Sequence, residues 1–344
     1  MFKMKQLGVA AALTLFAVGA MASNFRGADQ VYVPAAGHLA SANATFISDV
    51  WVSNLSSTDS VSVSVIYTPS GTNPTPQYFD NVITLRPLER KEFVDFFPTA
   101  LGLNSAFGTL IFNGCKQSAD CLTQDDNGFS TNFRDIAVFS RIYSIPAGQT
   151  NPANQPTTGQ AFPGIPWYNF VSSRQASSGL ARVFITGIRN TGTSGQVGTY
   201  RGNIGVMNAS QYSTTTLVLK LWNGSTPTQQ IGSDFAITLG PLGHQQVNVS
   251  TAFPAFGTGA TSTNAFVTIE QGNNVPTNDA PTTCLPDGCP GFLAYGSVLD
   301  NATGDATTLE TVYEKALTGA ALDVIYGTGG SGKSNIRRSV KRAH

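Results

Sequence analysis

Charge is what this chain has least of. Asp, Glu, Lys and Arg make up 12% of its 344 residues, about half the share usual in soluble domains. Lys and Arg total 20, Asp and Glu total 20, and histidine occurs three times. A formal charge of zero excludes a broad basic surface for nucleic acid and a strong acidic field. Only five glutamates are present, none in a recognisable catalytic setting. No Gly-x-Ser-x-Gly elbow and no His-Glu-x-x-His pair occurs, which removes the common signatures of serine and zinc hydrolases. Hydrophobic residues still reach 41%, enough to bury a core and to argue against global disorder.

The N-terminus has three features in a telling order. Lys3 and Lys5 precede an apolar run from Leu7 to Ala20, and Ala20-Met21-Ala22 supplies a small-x-small site. That order predicts a secretory signal peptide over 1–22, cleaved near Ala22. The run is shorter than the roughly 20 residues needed to span a bilayer, and no later segment is longer. The expectation is therefore a secreted or cell-surface protein, with the periplasm as the alternative. Residues 317–344 read as a Gly/Ser-rich basic tail. From Val324 on they carry five cations and no acid, which leaves 13 basic against 20 acidic residues in 23–323.

The body of the chain repeats itself. Asn54 to Tyr67 and Asn208 to Leu221 share alternation in phase, at an offset of 154. Ile83-Thr-Leu-Arg-Pro-Leu88 returns at that offset as Ile237-Thr-Leu-Gly-Pro-Leu242, and Ala137 to Tyr143 returns at 156 as Leu293 to Leu299. Agreement in order, spacing and phase predicts duplication. Period-2 alternation broken by Pro, Gly, Asn and Ser predicts strands. In 59–67 the valines should face a core and the serines water. The fold class expected is all-β: two tandem immunoglobulin-like β-sandwich domains, at 23–146 and 167–316. A Pro/Gly/Asn-rich linker, 147–166, should join them. Helical expectations are confined to a turn within Phe93 to Leu103 and to Thr308 to Ala321.

The four cysteines form two local pairs, Cys115/Cys121 and Cys284/Cys289, each between the same two strand patterns of its repeat. In an exported chain they predict two disulfides. Gly327 to Ser334 matches the phosphate-loop pattern, but the ten residues after it leave little room for the required helix. It reads as flexible tail. No catalytic or cofactor-binding residue is expected. Asp125 to Gly128 and Asp300 to Asp305 are oxygen-rich; turns are the first reading and calcium the alternative. His38 and His244 read as loop or edge residues without a positioned partner.

Aromatics near polar turns are the remaining hint of binding. Trp51, Trp222 and Tyr78 are candidate ligand contacts, with core packing as the plainer reading. Val31 to His38, Asn203 to Asn208, Ile237 to Gln245 and Phe292 to Asn301 together resemble a tandem immunoglobulin-like β-sandwich module of secreted bacterial, acidobacteria-like proteins. The likeness covers most of 31–312. It implies a fold and export, and it brings no catalytic set. The first repeat departs from it with Arg86 and Glu89-Arg90-Lys91, where the second has Gly240 and Gly243-His244-Gln245. The expected function is surface binding without catalysis: adhesion, envelope structure or protein assembly. A carbohydrate-binding module and a hydrolase with an acidic pair are the alternatives. Partners would be a protein or glycan surface, not nucleic acid, and self-assembly is open.

Overall fold

The computed structural model describes residues 27–42, 44–116, 132–147, 149, 157–172, 181–191, 196–211, 213–224, 228–256, 262–272, 290–309 and 311–315. The protein is all-β, built of antiparallel sheets with three short helical turns among the described residues. The strands of the first half are β1 (Gln30–Ala40), β2 (Ala44–Asn54), β3 (Val61–Pro69), β4 (Gln77–Leu85), β5 (Arg90–Phe93), β6 (Ala106–Lys116), β7 (Ile136–Pro146), β8 (Thr158–Pro163) and β9 (Ile165–Pro166). They hydrogen-bond in the order β4-β3-β6-β1-β2-β7-β8, with β5 beside β2 and β9 beside β1. Strand β1 pairs with β6 over most of its length and passes to β2 only at Leu39 and Ala40. It thereby joins two layers: layer I (β4, β3, β6, β1) and layer II (β5, β2, β7, β8).

The second half comprises β10 (Val171–Ser172), β11 (Ala181–Asn190), β12 (Tyr200–Asn208), β13 (Thr215–Asn223), β14 (Phe235–Leu239), β15 (His244–Asn248), β16 (Ser262–Gln271), β17 (Pro290–Asp300), β18 (Ala306–Leu309) and β19 (Thr311–Lys315). Layer III holds β10-β17-β12-β15 with β18 beside β17, and layer IV is β14-β13-β16-β11-β19. The pairings of the first half recur here. β13 lies between β14 and β16 as β3 lies between β4 and β6, and β12 lies between β15 and β17 as β2 lies between β5 and β7.

Two local devices also recur. Asn54 Nδ2 donates to the carbonyls of Asp59 and Arg86, both at 2.8 Å, while its Oδ1 accepts from Ser56 N at 2.9 Å. Asn208, 154 residues on, donates to Ser213 O at 2.7 Å and Gly240 O at 2.8 Å and accepts from Ser210 N at 3.0 Å. Each buried carboxamide thus ties a strand end to the loop after it and to the distant turn before β5 or β15. Those turns are Arg86-Pro-Leu-Glu89 and Gly240-Pro-Leu-Gly243, closed by bonds from Glu89 N to Arg86 O and Gly243 N to Gly240 O. Proline presets the second position, and the third takes positive φ, a place usually given to Gly. Here Leu88 (φ 57) and Leu242 (φ 54) occupy it.

Alternation puts Leu217, Leu219 and Leu221 of β13 into the core, each at 0% exposure, worth about 1.5–3 kcal/mol apiece. They join Ile204, Val206, Phe292 and Ala294 of layer III in one cluster. The opposite face of layer III is buried as well. Met207, Leu293 and Tyr295 belong to the first half's core cluster, beside Phe162 and Ala106. Layer III is therefore covered on both sides, and its strand β17 is buried without a break from Gly291 to Val298, whereas its counterpart β7 alternates. Backbone bonds stitch the halves together: Gly71 N to His244 O at 2.7 Å, His244 N to Gly71 O at 3.0 Å and Gly240 N to Thr72 O at 2.7 Å.

Several expectations need correction. Within 147–166, read as linker from its composition, residues 158–163 and 165–166 are strand: β8 pairs with β7 and β9 with β1. Thr308 to Ala321 is not helical where it is described. Its β-branched Thr311 and Val312 pair with β11 as β19, because ladder hydrogen bonds and the strand preference of β-branched residues outweigh weak helix propensity. The serines of 59–67 do not face water. Ser62 and Ser64 are buried and bonded to Asn81, Ser62 Oγ to its Oδ1 at 2.6 Å and Ser64 Oγ from its N at 3.0 Å. Strand β4 shifts register there, and Asn81 takes positive φ, which satisfies both hydroxyls. The expected turn near Phe96 is present as Phe97–Leu101. The signal segment, the tail with its phosphate-loop pattern, and Asp125 to Gly128 lie outside the described residues.

Candidate functional site

Among the described residues, the outer faces of layers II and IV each carry one of the candidate tryptophans. On β13, Val218, Lys220 and Trp222 alternate with the core leucines and so point away from it. Trp222 is paired with Phe266 of β16. Their rings lie 6.4 Å apart and within 16° of parallel. Phe184 of β11 continues the row, 6.3 Å from Phe266 at 32°. Three aromatic rings thus cross three adjacent strands of layer IV, all half-buried. Trp222 Nε1 donates to Thr268 Oγ1 at 2.9 Å, which fixes the indole against the sheet. Polar groups flank the row: Lys220 Nζ meets Glu270 Oε2 at 3.0 Å, with Arg182 Nε 3.8 Å from Oε1. Val312 beside it is 54% exposed.

In the first half Trp51 sits on the outer face of layer II, opposite Glu92 of β5 and Phe139 of β7. Its ring is 5.4 Å from Phe139 at 48°, and the Arg90 guanidinium lies 5.9 Å over it. Tyr78 stands apart on the edge strand β4, 58% exposed. The three candidates are not brought together. Phe184, Phe266 and Phe139 were missed by the sequence reading, since each becomes a partner only through strand register.

The position matching Trp51 in the second half is Gly205, and those matching Phe139 and Arg90 are Tyr295 and His244. There the face is shut. A Cβ on Gly205 would meet the Tyr295 ring at 2.0 Å, so the missing side chain is what lets that ring lie on the strand. His244 stacks on Tyr295 at 5.9 Å and 20°, with Nε2 2.9 Å from its hydroxyl, and Tyr295 donates to Gln246 Oε1 at 3.0 Å. That chain makes His244 Nε2 the donor and leaves Nδ1 buried without a hydrogen-bond partner. Burial lowers the His244 pKa to about 4 and raises that of Tyr295. His244 thus opens the edge strand β15, as expected of an edge residue, but it is fully buried at the joint between the halves and has Tyr295 as a positioned partner.

His38 also differs from expectation. It lies on β1, and Nδ1 is 2.8 Å and 2.9 Å from the two carboxylate oxygens of Asp95. Asp95 N donates to Asp49 Oδ1 at 2.9 Å, and Tyr143 Oη donates to the same oxygen at 3.0 Å. Burial raises the Asp49 pKa, against the pull of those hydrogen bonds. The sequence hid this partner because 57 residues separate His38 from Asp95. An imidazole oriented by a carboxylate is half of a general-base arrangement. Among the described residues no side chain hydrogen-bonds His38 Nε2, so no nucleophile completes it.

Among the described residues no group of three or more His, Cys, Asp or Glu side chains could hold a metal ion. Asp300 Oδ1 instead accepts from Ala302 N at 2.8 Å and Thr303 N at 3.2 Å, an Asx turn. Cys115 is buried near the end of β6. Cys121, Cys284 and Cys289 lie outside the described residues, and with them both expected bridges.

No protein-family model and no curated protein matches the chain. Among solved structures it is distantly similar to a "Biofilm associated protein - BSP domain", at 13% identity and a TM-score of 0.17, covering 85% of this chain and 59% of that one. It thus spans less than two thirds of that structure. A lectin from Pleurotus ostreatus in complex with GalNAc gives 13% identity and a TM-score of 0.14, covering 87% of this chain and 80% of that one. Neither likeness carries an argument about this chain.

Proposed function

We propose that this protein is a duplicated, immunoglobulin-like β-sandwich pair that works by binding rather than catalysis, and that its ligand is a glycan chain held on the outer face of layer IV. The observation that carries the reading is the row Phe184–Phe266–Trp222. Flat rings fixed on a rigid sheet offer apolar area at little entropic cost, which suits the C–H faces of successive sugar rings. Lys220 and Glu270 beside them would supply a donor and acceptors for hydroxyl groups. The recurrence of the Asn54 and Asn208 networks at one offset supports duplication. The order of lysines, apolar run and small-x-small site in 1–22 supports a secretory leader and hence export, which would bring the chain to envelope or extracellular polysaccharide.

Affinity electrophoresis of the full chain through gels containing different polysaccharides tests this. At least one polysaccharide should retard the wild type, and Trp222→Ala or Phe266→Ala should weaken retention about tenfold or more, as expected of a central aromatic anchor. Retention unaffected by both changes would remove the reading.

One observation favours a second reading, the hydrolase: His38 held by Asp95. Turnover of ester or glycoside substrates that disappears in His38→Ala would replace the binding proposal.

A further inference from the structure

Between the two halves lies a second concavity, which the ring row does not touch. It is a cleft of about 340 Å³, floored by β17 and β12 of layer III and walled by β1, β2, β7 and β8. That is near the lower end for small-molecule sites. At about 30 Å³ per water it has room for roughly eleven waters or an organic molecule of similar heavy-atom count.

Three features define what would fit. Its rim is apolar and exposed, with Leu39 and Phe46 each 40% accessible and Leu299 beside them. Two residues of the lining carry unpartnered polar atoms: Ser297 is 1% exposed and its Oγ has no hydrogen-bond partner, and Gln160 Oε1 is likewise buried and unpartnered. Buried polar atoms without partners are rare and costly, about 1–3 kcal/mol each. Finally, Arg201 is the one charged residue in the lining among the described residues. Its guanidinium donates to the neutral Asn301 Oδ1 at 2.7 Å, and no carboxylate pairs with it among the described residues.

From this we infer that the cleft is a binding site for a short amphipathic monocarboxylate bearing a hydroxyl on its chain. The carboxylate meets Arg201 near the mouth, the alkyl part lies along Phe46 and Leu299, and the hydroxyl donates to Gln160 Oε1 while Ser297 Oγ donates to it. The ligand would bridge both halves, so occupancy stabilises the joint. A lone apolar molecule leaves the two polar atoms unsatisfied, and an amine meets Arg201 with like charge.

Calorimetric titration of the full chain with 3-hydroxyoctanoate, octanoate, octanol and octylamine tests this. The expected order is 3-hydroxyoctanoate tightest, octanoate next, octanol weaker and octylamine unbound. Arg201→Gln should weaken 3-hydroxyoctanoate at least tenfold, the scale of a lost charge-assisted hydrogen bond, and leave octanol unchanged. Ala306→Trp, which blocks the rim, should abolish binding of 3-hydroxyoctanoate, octanoate and octanol with the thermal transition retained. If none of the four binds the wild type, the cleft holds water only and the inference falls. It falls equally if octanol matches the acids, or if Arg201→Gln changes nothing. Failure here would leave the polysaccharide retardation untouched, since the two sites share no residue.

Discussion

Replacing Asn208 by alanine should be among the most damaging single changes available in this fold. The carboxamide is fully buried, and its Nδ2 bonds Ser213 O at 2.7 Å and Gly240 O at 2.8 Å while Oδ1 takes Ser210 N at 3.0 Å. Alanine deletes these three bonds, and the longer one from Nδ2 to Leu239 O at 3.2 Å, at a fully buried side chain. Each net bond is worth about 1 kcal/mol, and stranded backbone groups add about 1–3 kcal/mol. The loss should total roughly 4–6 kcal/mol, a large part of a stability of about 5–15 kcal/mol. Urea unfolding followed by tryptophan fluorescence would read it directly, and the midpoint of thermal unfolding should fall by roughly 8–24 °C. Asn54→Ala, which breaks the matching bonds, should cost a similar amount. A loss below about 1 kcal/mol for both variants would refute the reasoning, since the stranded carbonyls would then be finding other partners.

The two proline turns supply an internal contrast. Leu88 and Leu242 share positive φ, but Leu88 is 69% exposed and Leu242 only 1%. Leu88→Gly should therefore raise stability by about 0.5–1 kcal/mol through relief of backbone strain. Leu242→Gly should lower it by about 2 kcal/mol or more through lost packing, and equal shifts in differential scanning calorimetry would contradict this. His244, with a folded pKa of about 4 against about 6.5 unfolded, binds its proton more readily when unfolded. Its contribution to stability is complete above pH 6.5 and is lost as pH falls toward 4, by roughly 3 kcal/mol. Asp49, whose pKa is raised, titrates in the opposite sense, so the check compares wild type with His244→Gln. The wild-type unfolding free energy should decline more steeply than the variant's over that range.

Features set within one strand and its turn were legible in the sequence. The alternation of β13 placed its leucines inside and Trp222 outside, and Pro87 and Pro241 marked their turns. Features that depend on which strand lies beside which were not. Phe266 reads as one more alternating aromatic until β16 is placed beside β13, and Asp95 means nothing to His38 before the chain folds back. Composition misled in 158–166, where Pro and Gly sit in short strands at the joint, next to Phe162 and its core contact with Tyr295. His244 and Gln246 stand at the positions that match Arg90 and Glu92, so the matching face of the second half is uncharged there, a difference visible in the sequence.

Because layer III serves both cores, the two halves cannot mature independently. A chain made from its N-terminus presents the first half early, yet Met207, Leu293 and Tyr295, which seal that half, emerge much later. Until they arrive, Phe162 and Ala106 face solvent at an unfinished edge. Synthesis thus passes through an interval of exposed apolar surface, and a truncation before β17 would leave a sticky fragment rather than a working half.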